Sequence, residues 1–317
     1  MSRIDSISLS IIVPCYNEEA TLPLFYDEMI KQLVSLTETD KLESYEFVFV
    51  DDGSKDLTAS LLQNLANQNE YVHYIILSRN FGKEAAILAG MQKATGQYVV
   101  VIDADLQDPP SLIPQMLQIV CSGEFDCAGT RRVTRKGEPA IRSFFARNFY
   151  RFMAKISDIE VVDGARDFRL MNRMYVDAVL SIQERNRFSK GIFPWVGFKT
   201  KWIEYENVNR VAGETKWSFW KLFLYSLDGI TAFSSRPLAF ASVCGTLAFF
   251  LSLIFILLVI VRKIVFGDPV AGWASTICII LLVGGVQLLS IGILGQYLAK
   301  TYTEVKQRPH FIIREQK

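Results

Sequence analysis

Two long stretches without a single charged side chain, residues 237–261 and 274–299, constrain this chain more than any other feature of it. Each is roughly 25 residues, enough for a helix to cross a hydrocarbon core ~30 Å thick. Uncharged runs of that length are rare in soluble domains, where a helix keeps one polar face. Residues 262–272 join the two, so the pair is expected as a helical hairpin across a membrane. Arg236, Lys300, Lys306, Arg308, Arg314 and Lys317 flank its outer ends, against Arg262 and Lys263 in the link. That asymmetry places both termini, and everything before the hairpin, on the cytoplasmic side. Just ahead of it, residues 216–233 carry Trp217, Phe219, Trp220, Phe223, Leu224, Tyr225 and Leu227 with Lys216 and Lys221. Aromatic-rich amphipathic stretches of this kind lie in the membrane interface. The expected divisions are a cytosolic domain over 1–215, an interfacial segment over 216–235, the hairpin over 236–300 and a cytoplasmic tail over 301–317.

The first 130 residues alternate between strand and helix patterns. Strands are expected at 7–14, 45–50, 72–77 and 98–102, with helices at 19–35, through Leu57, Leu61, Leu62 and Leu65, and at 83–94. Strands this apolar are buried on both faces, as in a parallel sheet covered by helices. The expectation is a doubly wound, Rossmann-like α/β domain, which binds ligands at the carboxyl ends of its strands. Polar clusters fall at those ends: residues 15–19, 51–56, 78–83 and 103–108.

Several function classes drop out. The net charge of +1 gives no electrostatic reason to expect nucleic acid as a partner. Five cysteines without a CxxC pair point to reduced thiols. His73 and His310 are the only histidines, which argues against a His-rich metal site or a Ser-His-Asp triad. Residues 1–10 hold no long apolar stretch, so no secretory signal is expected.

The chemistry centres on Asp103-Ala104-Asp105. Alternate residues of a strand point the same way, so two carboxylates separated by one residue can converge on one cation. Hard oxygen ligands suit Mg²⁺ or Mn²⁺, which also takes substrate phosphate oxygens. Asp51-Asp52-Gly53-Ser54 ends the second strand, where a carboxylate can bond a nucleobase or ribose; Ser54 or Asp56 is also placed to cap the following helix. Residues 14–19 open a helix whose N-terminal amides favour an anion.

Taken together, PCYNEE, VDDGSKD, SRNFGKEAA and DADLQDPP resemble glycosyltransferase family 2, with its GT-A fold. GTRR (129–132), RSF (142–144), RDFRLMNR (166–173) and RVAGETKW (210–217) resemble its polyprenyl-phosphate branch, which includes bactoprenol glucosyltransferases and dolichol-phosphate mannose synthases. The hairpin and its ending, GQYLAKTYTEVKQRP, resemble the bacterial bactoprenol enzymes, while QxxRW, the signature of processive synthases, is absent from the sequence.

The resemblance implies a role for each motif residue. Asp103, Asp105 and Gln107 would surround the metal and donor diphosphate, and Asp52, with Pro14, Tyr16 and Glu18, would hold the nucleoside. Arg131, Arg142, Ser143, Arg210 and Lys216 would hold the acceptor phosphate. Asp167 would sit beside the transferred sugar, as a base or an orienting group; an ion pair with Arg166 or Arg169 is its alternative. The donor is expected to be a UDP-hexose, glucose first, and the acceptor a polyisoprenyl phosphate, with inversion at the anomeric carbon. Thin two-span hairpins pack better with partners, so a homo-oligomer, with a tetramer as first choice, is expected. The competing readings are a processive or protein-directed transferase and a non-catalytic nucleotide-sugar module.

The charge asymmetry makes a direct prediction. A cysteine replacing Gly267 should react with an impermeant thiol reagent in intact cells. A cysteine at the C-terminus should react only after the membrane is opened. The reverse pattern would invert the topology.

Overall fold

A computed structural model of the chain describes residues 7–38, 42–133, 162, 164–206, 236–266 and 272–317. The interfacial segment expected over 216–235 lies outside the described residues.

The apolar runs of the first hundred residues form β1 (Ser8–Cys15), β2 (Ser44–Asp51), β3 (Val72–Leu77) and β4 (Tyr98–Val101). They are joined by α1 (Leu22–Glu38), α2 (Thr58–Gln68) and α3 (Lys83–Lys93). The four strands are parallel, in the order β3-β2-β1-β4. Alternation along each strand sends neighbours to opposite faces. Leu9, Ile11, Val13, Phe47 and Phe49 join the core under α1, while Ile12, Val48 and Val50 join the core under α3. Both faces are covered, which is why these strands are almost wholly apolar. Pro14 is tolerated in the central strand β1 because pairing with β4 ends at Ile12.

Beyond β4 come α4 (Ile113–Cys121), β5 (Cys127–Arg132), β6 (Ala165–Asn172), α5 (Arg173–Ser181), α6 (Ser189–Trp195) and β7 (Thr200–Tyr205). Here the expected parallel sheet becomes mixed. β6 runs antiparallel between β4 and β5, and β7 adds parallel to β5 at the edge. Asn172 caps α5 by accepting a bond from Tyr175 N, so the chain leaves β6 straight into a helix.

The apolar stretches form α7 (Arg236–Phe266) and α8 (Trp273–Val305). At 1.5 Å per residue these are about 46 and 50 Å long, more than a hydrocarbon core requires. Large apolar side chains face outward along both, with Ile264 78% and Leu288 72% exposed, a surface that fits membrane association. Arg262 and Lys263, expected in the link, lie in the last turns of α7, since the sequence has no helix breaker before Gly267-Asp268-Pro269.

The tail expected over 301–317 is built into the domain. α8 carries Glu304, whose Oε1 accepts bonds from the backbone N–H groups of Arg185 (2.7 Å) and Asn186 (3.3 Å). Residues Ile313–Gln316 then form β8, antiparallel to β3. Ser78 N donates to Ile312 O at 2.9 Å and Lys317 N donates to Tyr74 O at 3.0 Å. Glu315 accepts from the Tyr74 hydroxyl (2.6 Å) and from Gln63 (2.9 Å). The edge of β3 is thereby covered, the end of a sheet that otherwise invites pairing with another chain. Charged and polar side chains dominate β8, so its apolar signal was too weak to read as a strand.

Ending the chain after Gln307 should remove β8. Two or three ladder bonds at about 1 kcal/mol each predict a loss of about 2–3 kcal/mol, or a Tm lower by about 5–10 °C for a domain of this size. Thermal unfolding in detergent measures it; an unchanged Tm would show that β8 adds nothing.

Candidate active site

The strand order reverses between β1 and β4, which opens a crevice at their carboxyl ends. The loops around it are locked to one another by named polar contacts. Asn17 N donates to Ser54 Oγ (2.8 Å) and Lys55 N donates back to Asn17 Oδ1 (2.8 Å). Glu18 N donates to Thr58 Oγ1 (2.8 Å), Glu19 N to Asp56 Oδ2 (3.2 Å), and Leu57 N to Glu19 Oε2 (2.9 Å). The loops after β1 and β2 are thus zipped reciprocally. Ser54, one of the two expected helix caps, serves this zip instead, while Asp56 accepts from Thr58 N at the start of α2.

Gly53 has φ +67°, and a Cβ there would stand 2.5 Å from the backbone carbon of Arg79. Only glycine lets the loop after β3 pass so close. Next to it, buried Asp52 accepts bonds from Phe81 N (2.7 Å) and Gly82 N (2.9 Å). Burial raises the Asp52 pKa above the usual carboxylate range in spite of those two donors. The carboxylate expected to meet a nucleoside therefore also anchors the start of α3. Of its expected companions, Pro14 ends within β1, and Tyr16 and Glu18 lie half-buried in the following loop, where Thr21 Oγ1 donates to Glu18 Oε2 at 2.6 Å.

The first residue of α3 is Lys83, and it holds the centre of the site. Its ammonium lies 2.8 Å from both carboxylate oxygens of Asp103 and 2.5 Å from Asp167 Oδ2. The sheet explains the meeting. Val101 faces Arg169 as the last pair in the antiparallel register of β4 and β6, so the turn that follows β4 starts close to Asp167 on β6. Burial works against the Lys83 charge, but Asp103 and Asp167 raise its pKa above the ordinary lysine value. Burial would raise Asp167 as well, yet Lys83 and then Lys190 hold it well below the usual range. For Asp103 burial prevails over the pull of Lys83, and the pKa is raised.

β4 ends at Val101, so Asp103 and Asp105 are not alternate residues of a strand as expected. They occupy a turn in which Leu106 takes φ +55°, an unusual conformation for a bulky residue. Gln107 N donates to Asp105 Oδ1 (3.2 Å), and the Gln107 side-chain oxygen accepts from Arg132 (2.8 Å). Beneath the turn, fully buried Asp108 accepts from Arg166 Nε (3.1 Å) and from the Tyr205 hydroxyl. Arg166 is therefore committed to Asp108, and the Arg169 guanidinium lies 3.6 Å from the Phe193 ring centroid. Neither forms the ion pair with Asp167 expected as the alternative; Lys83 does.

Among the described residues, no group of three or more His, Cys, Asp or Glu is arranged to hold a metal. Asp103 and Asp105 still fit a hard divalent cation that takes its other ligands from phosphate oxygens, the usual arrangement for Mg²⁺. Of the residues expected to hold an acceptor phosphate, Arg131 on β5 pairs with Glu204 on β7, both substantially exposed. Arg142, Ser143, Arg210 and Lys216 lie outside the described residues.

Sequence reasoning gives no task to Lys83, Arg132 or Asp108, and pairs Arg166 with Asp167 rather than with Asp108. Lys83 stood in SRNFGKEAA at a strand end, and several carboxylates converging on one crevice require a cation, so a signal was present. Asp108 and Tyr205 become partners only through the packing of β7, which no local pattern reports.

Glycosyl transferase family 2 matches the chain over residues 10–180. The chain is 41% identical over 307 residues to the putative glycosyltransferase CsbB of Bacillus subtilis, covering 97% of this chain and 91% of that one. It is 39% identical over 313 residues to a prophage bactoprenol glucosyl transferase homolog of Escherichia coli, covering 98% and 100%. The bactoprenol glucosyl transferase of Shigella phage SfX is likewise 39% identical over 313 residues, with the same coverage.

The Asp52 anchor is testable apart from catalysis. Asp52→Ala strands two backbone donors and should cost about 2–4 kcal/mol, with Asp52→Asn costing less because its carbonyl still accepts one bond. Urea unfolding of both variants measures this; equal, near-zero effects would remove Asp52 as the anchor.

Proposed function

Because the chain belongs to glycosyl transferase family 2, we propose that it transfers a hexose from a UDP-sugar, with UDP-glucose as first choice, to a polyisoprenyl phosphate such as undecaprenyl phosphate. The observation that carries this reading is the tether. The sheet that holds Asp103, Asp105 and Asp167 takes its edge strand β8 from the chain that leaves the apolar helix α8. A soluble acceptor needs no such connection. An acceptor whose tail stays in a bilayer can present its phosphate only at head-group level, and the crevice must then be held there. Near-full-length identity to proteins named bactoprenol glucosyl transferases supports the same acceptor.

The two apolar helices are read as spans of the bacterial plasma membrane. The outer end of α8 returns to the α/β domain through Glu304 and β8, and in sequence α7 follows that domain. An even number of spans with the domain at both ends agrees with the positive-inside reading of a cytoplasmic domain.

Transfer leaves negative charge on the donor diphosphate, and the sugar becomes oxocarbenium-like as its bond breaks. Bound Mg²⁺ or Mn²⁺ would supply positive charge beside those leaving oxygens. Asp103 and Asp105 would hold it, and Gln107, bound to Arg132, would steady the turn. The attacking group is a phosphate oxygen. A phosphate monoester has a second pKa of about 6 and is ionised at neutral pH. It needs placement more than deprotonation. Asp167, its pKa depressed, is a weak proton acceptor and suits orienting the sugar better than general-base work. Arg131, with Arg142, Ser143, Arg210 and Lys216, is assigned to the acceptor phosphate, where charge-assisted bonds hold best.

Membranes containing the protein, given a panel of UDP-sugars and undecaprenyl phosphate, should yield a chloroform-soluble sugar phosphate. Asp105→Ala should lower the rate at least about a hundredfold while the protein stays folded and membrane-bound. EDTA should mimic it, and Mg²⁺ or Mn²⁺ should reverse the EDTA effect. A water-soluble polymer or a glycoprotein as product would overturn the acceptor, and full activity in EDTA would overturn the metal.

A further inference from the structure

The Lys83 ammonium sits where a cation serving Asp103 would sit, in contact with both of that carboxylate's oxygens and with Asp167. Resting on the metal-assisted reading above, we propose that Lys83 is a placeholder cation in the donor-free enzyme, so that a divalent metal binds at Asp103 and Asp105 only together with a nucleoside diphosphate.

The geometry carries the argument in three steps. First, a metal approaching Asp103 alone must displace an ammonium from both of its oxygens, or share them with a like charge a few ångströms away. Second, among the described residues the turn offers no set of three acidic or His/Cys ligands, so protein donors alone repay that displacement poorly. A diphosphate brings both further oxygen ligands and further negative charge, and so makes the exchange favourable. Third, Lys83 is placed to yield. Its side chain is 41% exposed, on a flexible four-carbon stem. Its root is fixed, because Asp52 holds the residues before it and Glu84, the next residue, accepts from Ser189 N at 3.0 Å at the start of α6. The head can release Asp103 and keep Asp167 without any backbone movement. Lys83 is thus a positioning residue: its ammonium offsets the repulsion between Asp103 and Asp167 until donor and metal arrive.

The experiment reads metal affinity, not turnover. Mn²⁺ alone is titrated into the full-length protein in detergent by calorimetry and by the electron paramagnetic resonance signal of free Mn²⁺, with and without saturating UDP. Wild type should bind Mn²⁺ weakly alone and at least about tenfold more tightly with UDP. Lys83→Met should bind Mn²⁺ without UDP about tenfold more tightly than wild type, so that UDP adds little. Lys83→Arg, which keeps the charge, should behave like wild type. Thermal unfolding confirms that each variant is folded, and Lys83→Gln replaces Lys83→Met if the latter is not. A residue that merely supports the loop would show the opposite sign: its loss would weaken Mn²⁺ binding. Unchanged or weaker Mn²⁺ binding by Lys83→Met, with UDP-linked binding intact in wild type, overturns the placeholder alone. Absence of Mn²⁺ binding by wild type even with UDP overturns the metal reading and the placeholder with it.

Discussion

A carboxylate on a strand and another in the turn that ends the neighbouring strand repel unless a cation stands between them, and this constraint organises the centre of the molecule. The antiparallel pairing of β4 and β6 brings the turn after β4 close to Asp167, and the Lys83 ammonium bonds both Asp103 and Asp167. Much of the surrounding structure serves to bring that one ammonium to that one place. Gly53 lets the loop after β3 cross close over the loop after β2. Asp52 then holds the amides of Phe81 and Gly82, which fixes where α3 begins and hence where Lys83 is rooted. The reciprocal bonds between residues 17–19 and 54–58 keep the neighbouring wall of the crevice in register.

How much of this could be read beforehand depends on the range of the interaction. β1 to β4 were legible because burial on both faces forces an unbroken apolar run, a purely local signature. The two long apolar helices were legible for a similar reason, since an uncharged run of that length is itself a local signature. The DAD turn was found, but its geometry was not: the strand stops at Val101, and Leu106 with φ +55° bends the carboxylates out of strand alternation. β8 was missed because an exposed edge strand such as Ile313-Arg314-Glu315-Gln316 carries no apolar periodicity. Lys83 was quoted within a motif and given no task, because its partners lie 20 and 84 residues away and meet only through sheet register.

Buried polar pairs outside the crevice follow the same logic. Asp108, with almost no exposure, receives Arg166 and the Tyr205 hydroxyl, and the Tyr205 pKa is pushed up to about 12, first by burial and then by Asp108. Breaking one member of such a set leaves the others desolvated and unpaired, which is costlier than never having built it. That makes the floor of the DAD turn rigid, while the Lys83 side chain above it remains partly exposed.

The edge strand has a consequence in time. β3 is finished early in synthesis, but its partner β8 follows both apolar helices, more than two hundred residues later in the chain. At about 5–20 residues per second, β3 waits on the order of 10–50 s for it. Through that interval the nascent domain presents an open strand edge, the kind of surface that chaperones shield and that aggregates exploit. The sheet can close only after the chain has passed through both apolar helices and turned back to β3. Completion of the sheet therefore waits on the two apolar helices, and the fold of the domain cannot be finished independently of them.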